Sequence, residues 1–262
     1  SDLFVLALLR FAIAAVAMLP WTRAAPGEPP LTRTEHRLFF ALSFFGNFLF
    51  SICMLYGVSL TTATAAGVIM ATLPAVVALL SWLLLREHLG GRVLLAVALA
   101  VGGVGLLQFA RADGIERGAS LLGNALMLGA VLCEAIYVIM AKRLAATRAP
   151  LRVSALANLW GLVLIAPLGL VQLGSFDLRS LGAPIWALLV FYSLAASLFA
   201  VWMWVAGLKQ VPANQAGVFT VALPLAATAV GVFALGETFT MLHAAALLLA
   251  TAGVVLITTR RP

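Results

Sequence analysis

The sequence predicts an all-α polytopic membrane protein, built as an inverted repeat of two five-helix halves. Three observations carry this reading. The 262 residues are 64% apolar and only 10% charged, more apolar surface than one soluble core of this length can hide. Uninterrupted apolar stretches of about 20 residues recur from end to end, the length that crosses a bilayer as a helix. Finally, "AGVIMATLP" at 66–74 returns as "AGVFTVALP" at 216–224. In the same 150-residue register Leu85 answers Leu235, Glu87 answers Glu237, Ala96 answers Ala246, and Gly103-Val104 answers Gly253-Val254.

Nine spans follow in order: 3–21, 37–57, 63–85, 92–110, 119–141, 153–174, 184–207, 213–235 and 242–259. Turn chemistry separates them at "APGEPP" (25–30), "HLGG" (88–91), "RADGIERG" (111–118), "TRAP" (147–150) and "GSFDLRSLGAP" (174–184). No connection is long enough for a separate soluble domain. One alternating set of connections holds Arg23, Arg33, Arg37, Arg86, Arg92, Lys142, Arg143, Arg148, Arg152, Lys209, Arg260 and Arg261; the other holds only Arg111, Arg117 and Arg179. That bias places residue 1 outside and the C-terminus in the cytoplasm.

Direction follows from the same count. Span 63–85 runs toward the cytoplasmic "REHLGGR", whereas 213–235 starts beside cytoplasmic Lys209. The copies are therefore expected to run oppositely, the arrangement that lets a carrier open a central site to alternate sides. Span 153–174 maps onto 3–24, but 119–141 maps onto positions before residue 1. The expectation is a ten-helix protein with nine helices visible. The first repeat would occupy 1–112 without its first helix, and the second 118–262.

The net charge of +7 does not point to nucleic acid, because the basic residues sit in connections and not on an aromatic-interleaved face. Cys53 and Cys133 lie far apart in apolar stretches and suggest neither a disulfide framework nor metal-ligand spacing. Ser1-Asp2 runs straight into a span, without the pattern of a cleavable signal. No Gly-x-Ser-x-Gly elbow, His-Glu-x-x-His or phosphate-binding glycine loop is present. The reading is a non-enzyme without cofactor or metal, not driven by ATP.

Here the residues resemble a known family. "LLRFAIAAVAMLP" is similar to the second helix of EamA-type members of the drug/metabolite transporter superfamily. "YGVSLTTATAAGVIMATLPAVVALLSWLLLREHLGGR" resembles their third-to-fourth helix signature, and "GNALMLGAVLCEAIYVIMAKRL" their sixth helix. The resemblance covers the whole chain, with the first helix absent. It implies a bacterial inner-membrane exporter of amino acids or other small metabolites, with a central cavity lined by the first, third, fourth, sixth, eighth and ninth of ten helices.

Several residues are candidates for the site. Glu134 falls near the middle of span 119–141, where an ionised group costs at least about 2.5–3.5 kcal/mol on insertion scales. Its helical face reads Gly123, Met127, Ala130, Glu134, Tyr137, Ala141. The carboxylate either binds a substrate ammonium group or coupling proton, or locks helices together. Many relatives of the resembled family carry an aromatic residue here. Arg10, also intramembrane, either forms a structural ion pair with Glu134 or attracts a substrate carboxylate.

Ser43, Asn47 and Ser51 share a face on 37–57, continued by Met54; their partners at the 150 offset are Ser193, Ser197, Val201 and Trp204. These line a midplane site or simply bond helix to helix, at about 0.6 kcal/mol each. Tyr137 and Trp204 either stack on the apolar part of a substrate or pack.

Pro74 and Pro224 bend their spans, as hinges or as static kinks. Thr72 and Thr220 lie within a turn of these bends. Glu87 and Glu237 are expected to cap the spans that follow them. His36, His88 and His243 lie at helix ends, and Trp21, Trp186 and Trp160 read as interfacial anchors.

Two transport readings remain. The first is a secondary exporter of amino acids or related metabolites working by alternating access, with a small-molecule substrate, a lipid environment and an optional coupling proton; the sequence leaves the oligomeric state open and is compatible with a monomer. The alternative is polyspecific efflux of cationic or amphipathic drugs using Glu134.

Overall fold

The computed structural model describes residues 3–24, 27–61, 66, 69–110, 120–174, 176, 182–222, 226 and 241–258. Among these the chain is helical without strands, as expected for a polypeptide that must satisfy its backbone inside lipid. The helices are α1 (Leu3–Thr22), α2 (Arg33–Ser43), α3 (Phe50–Leu60), α4 (Leu73–Leu85), α5 (Gly91–Ala110), α6 (Leu121–Thr147), α7 (Pro150–Leu173), α8 (Ala183–Ser193), α9 (Ala200–Gln210), α10 (Ala213–Phe219) and α11 (Met241–Thr258). Among the described residues five stretches are long and apolar enough to cross a membrane: Phe4–Thr22, Arg33–Leu60, Leu121–Thr147, Pro150–Leu173 and Ala183–Gln210. The protein is a multi-pass membrane protein.

Local chemistry explains where the helices begin. Thr32 caps α2 through a capping box: its hydroxyl accepts from the Glu35 N–H while the Glu35 carboxylate accepts from the Thr32 N–H. Pro74, Pro150 and Pro184 occupy first turns, where the missing N–H has no intrahelical partner to lose.

Two features were not foreseen. Residues Phe44–Leu49 and Leu194–Phe199 are π-helical, each inserted between two α-helices of 11 residues. All six boundaries are related by the 150-residue offset. Spans 63–85 and 213–235 are also not simply bent helices. The first turns at Ala71–Thr72 before α4 restarts at Leu73, and the second turns at Thr220–Val221 after α10. Pro74 therefore opens a helix and does not kink one: in a first turn its missing N–H costs no intrahelical bond, unlike Pro20 and Pro167, which sit inside α1 and α7.

The chain divides into two compact units, Ser1–Phe48 with Met140–Gln210, and Leu49–Ile139 with Val211–Pro262. Each draws on both halves of the sequence. In the first unit α1 packs on α7, its mate at the 150 offset. Met18 clusters with Ala155, the Phe11 carbonyl accepts from Asn158 Nδ2 at 2.9 Å, the Phe11 ring meets Gly161, and Leu8 meets Ile165 and Gly169. Falling numbers on α1 meet rising numbers on α7, so these two repeat mates run antiparallel. Phe11 and Gly161, themselves one offset apart, face each other at the crossing.

In the second unit α5 packs on its mate α11, and α4 on α10. Small residues permit these approaches: a Cβ on Gly253 would come within 2.9 Å of the Ala96 carbonyl, and one on Gly217 within 2.9 Å of Val77.

Candidate functional site

In the first unit, Ser43 is fully buried and donates to the Ala157 carbonyl at 2.8 Å, whereas its offset mate Ser193 bonds back to Leu189 in its own helix at 2.6 Å. Asn47 is half-buried inside the first π-helical segment and Ser197 is buried inside the second. A π turn widens the helix and frees a carbonyl from the i−4 ladder, which is why such turns gather at functional positions. Half-buried Trp204 follows on α9, its indole N–H buried and without a partner among the described residues.

Arg10 reaches across to α8. Its Nη1 lies 3.4 Å from Tyr192 Oη, and its guanidinium sits over the Phe11 ring at 4.4 Å and the Tyr192 ring at 5.8 Å. The Arg10 Nε is buried and unpartnered among the described residues. Nothing local in the sequence marks Tyr192. Two further polar residues of this unit were missed: Ser154 and Asn158 are buried on α7, with Ser154 Oγ and Asn158 Oδ1 unpaired among the described residues. Their i, i+4 spacing was the available signal.

In the second unit, the face named for α6 is the buried one. Gly123, Met127 and Ala130 are buried, with half-buried Glu134 and Tyr137 continuing the stripe, while Leu121, Leu122, Leu128 and Leu132 are exposed on the other side. Within that unit no described residue hydrogen-bonds the Glu134 carboxylate. Thr72 and Thr220, both half-buried, donate to the carbonyls three residues back, Ile69 and Gly217, each at 2.7 Å. Pro224 and Glu237 lie outside the described residues.

Glu87 departs from its expected role. It caps not the helix after it but α10: Oε1 accepts from the Ala213 N–H and Oε2 from the Asn214 N–H, both at 2.9 Å, while Asn214 Nδ2 bonds the His88 carbonyl. The left-handed backbone of Arg86 (φ 56°, ψ 30°) turns the chain so that Glu87 cannot address α5.

Chain ends that the basic-residue count assigned to one side meet one another. In the first unit Arg148 and Arg152 bind the 28–35 segment, and Lys142 donates to the Leu208 carbonyl at 2.6 Å. On the opposite set, Ser120 and Asn124 bond Leu60 and Thr61.

The candidate residues thus separate by unit: Arg10, Ser43, Asn47, Ser197 and Trp204 in the first, Glu134, Tyr137, Thr72, Thr220 and Pro74 in the second. Among the described residues no group of three His, Cys, Asp or Glu side chains is placed to hold a metal.

Comparison with known proteins places this arrangement. A model of the EamA-like transporter family matches residues 2–109 and 121–259. The chain is 36% identical over 239 residues to the uncharacterized transporter YetK of Bacillus subtilis (strain 168), covering 90% of this chain and 72% of that protein. It is 30% identical over 184 residues to the uncharacterized transporter YwfM of the same organism, covering 69% of this chain and 58% of that one. A solved crystal structure is similar in fold, with a TM-score of 0.76 at 19% identity over 97% of this chain and 86% of that one.

Proposed function

Since this chain belongs to the EamA-like transporter family, we propose that it is a secondary transporter exporting amino acids or related small metabolites by alternating access. The observation that carries the mechanism is the matched pair of π-helical segments at 44–49 and 194–199, together with the antiparallel packing of the offset mates α1 and α7. Oppositely directed copies of one helix, with the next span of each copy holding an irregular stretch, are the kind of parts an alternating-access carrier exchanges between its two states. The repeats are taken as 1–112 and 118–262, the membrane as the bacterial inner membrane, and the C-terminus as cytoplasmic from the loop charges.

Asn47, Ser43, Ser197, Trp204, Thr72, Thr220, Glu134 and Tyr137 are the proposed substrate ligands. Arg10 serves as counter-charge for a carboxylate, and the interrupted helices marked by Pro74 and Pro224 serve as hinges.

A second reading has one observation in its favour. Glu134 presents a half-buried carboxylate that no described residue of its unit hydrogen-bonds, which suits a cationic drug or a coupling proton.

The test is transport by the full chain in proteoliposomes, with radiolabelled amino acids in one series and cationic dyes in the other. Amino-acid counterflow that survives in Glu134→Gln with an altered pH profile supports the first reading. Dye efflux abolished by Glu134→Gln supports the second. Transport of neither class by the reconstituted chain sinks both, as does labelling that puts the "HLGG" and "GETFT" turns on the same side.

A further inference from the structure

In the second unit α4 and α10 run antiparallel, and their contacts can be followed from one end of the pair to its middle. Glu87, just past α4, accepts from the Ala213 and Asn214 N–H groups at 2.9 Å each. A Cβ on Gly217 would lie 2.9 Å from Val77. Farther along, Ala71 and Val221 belong to one buried cluster, at 2% and 1% exposure. These two are offset mates, and each lies in the turn that interrupts its span. The repeat axis of this pair therefore passes beside the two interruptions, about 20 Å along α4 from the Glu87 contact. A pair centred on such an axis has two equivalent ends. At the described end the left-handed Arg86 presents Glu87 to α10. The mates of Arg86 and Glu87 are Gly236 and Glu237; those of Ala213 and Asn214 are Ala63 and Thr64, preceded by Thr62. All five lie outside the described residues, but their types suit the same device. Glycine takes a left-handed turn without strain, and threonine is favoured just before a helix.

We propose that Glu87 and Glu237 are alternating latches: Glu87 closes one end of the pair in the conformation described, and Glu237 closes the other end, onto the N–H groups of residues 63 and 64, in the opposite state. The inference rests on the alternating-access reading and names the residues that hold each state. Rocking about the Ala71–Val221 point brings one end together as it parts the other. Over the length of α4 a small tilt grows beyond what a hydrogen bond can span. Because the repeat axis carries one end onto the other, exchanging the conformations of the two copies exchanges which end is closed. A half-buried carboxylate leaves a helix end at modest cost, so each latch biases the balance without freezing it. Asn214 Nδ2, bonded to the His88 carbonyl at 3.3 Å, adds to the first latch.

The experiment is hydrogen exchange at the Ala213 and Asn214 amides of the full chain in lipid nanodiscs, with thermal melting of every variant as the fold control. These amides exchange when the Glu87 latch is open. Glu237→Gln weakens the opposite closed state, shifts the population toward the Glu87-latched one, and should slow their exchange about two- to fivefold. A merely local cap at residue 237 would leave them unmoved. Gly236→Val, unsuited to a left-handed turn, should slow them likewise, and decides the matter if the glutamine variant does not melt cooperatively. Unchanged or faster exchange in a cooperatively melting variant overturns the proposal. If neither variant melts cooperatively, Glu237 holds the fold and is no releasable latch, which overturns it too. Any of these failures with the "HLGG" and "GETFT" turns on opposite sides strikes the latches alone; labelling of both turns on one side strikes the alternating-access reading beneath them.

Discussion

Each unit fastens helix ends together at a loop rich in basic residues, and the two use opposite charges to do it. In the first, the buried Arg148 guanidinium donates to Glu35 through Nε and Nη2, to Glu28 and the Pro29 carbonyl through Nη1, and to the Pro30 carbonyl through Nη2. Arg152 adds a second pairing to Glu28 at 2.5 Å. In the second unit one half-buried carboxylate, Glu87, receives two backbone N–H groups at the start of α10.

The difference is one of commitment. A guanidinium with its donors fixed in a fork and buried among two carboxylates cannot let go without stranding charges. A carboxylate at a helix end, partly in water, separates at modest cost. The first fastening is structural, and the second is weak enough to be released.

Removing the guanidinium should have the largest effect. Arg148→Ala leaves Glu35 with only its Thr32 contacts and a long one from Thr147, and removes the donor to the Pro29 and Pro30 carbonyls, at a cost of about 3–5 kcal/mol. The Glu35 carboxylate, bonded to the guanidinium, raises Arg148 above its already high ordinary pKa, so the cation persists at every workable pH. Arg148→Lys keeps the charge but loses the fork, and should fall between the alanine variant and the parent. Melting temperatures in detergent check both. An Arg148→Ala chain as stable as the parent would erase the contrast.

The contrast extends from charge to packing, and two glycines sharpen it. In the first unit a Cβ on Gly161 would meet the Phe11 ring at 2.7 Å, whereas in the second a Cβ on Gly123 would meet the Leu60 carbonyl at 2.5 Å. A ring can tilt; a carbonyl that already accepts from Ser120 Oγ and N–H cannot. Gly123→Ala should therefore cost about 1–3 kcal/mol and Gly161→Ala less. Equal melting shifts in the two variants would remove the distinction.

Glu87→Gln comes next. The amide keeps one acceptor, loses the charge and turns an N–H toward an N–H, which should cost about 1 kcal/mol. Hydrogen exchange at the Ala213 and Asn214 amides should quicken several-fold, with global melting little changed. If global melting falls as far as in Arg148→Ala, the carboxylate is a committed fastening after all.

What was legible from the residues alone divides along physical lines. The membrane class, the 150-residue repeat and the inward stripe of α6 follow from composition and periodicity, which act locally. The π-helical segments do not. An extra residue in a helical turn leaves hydropathy untouched, so 37–57 and 184–207 read as uninterrupted spans. The partner of Arg10 depends on which helices pack, and no spacing rule encodes that. Glu87 shows the boundary most clearly: its capping role was legible from residue type and position, but its target was not, because one left-handed residue redirected the chain.

That residue carries the smallest prediction. Arg86 is exposed, and among the described residues it is the only non-glycine with positive φ. An L side chain there costs about 1–2 kcal/mol relative to the right-handed helix. Glycine removes that cost, but gives back roughly 0.5–1 kcal/mol through the freer unfolded chain. Arg86→Gly should therefore leave stability unchanged or raise it by less than about 1 kcal/mol, with the Ala213 and Asn214 amides as well protected as before. Arg86→Val, β-branched and unsuited to positive φ, should lose that protection as Glu87→Gln does, since the turn and the carboxylate form a single device. If the valine variant protects α10 as well as the parent, Glu87 reaches its helix without the turn, and the second fastening is sturdier than its partly exposed position suggests.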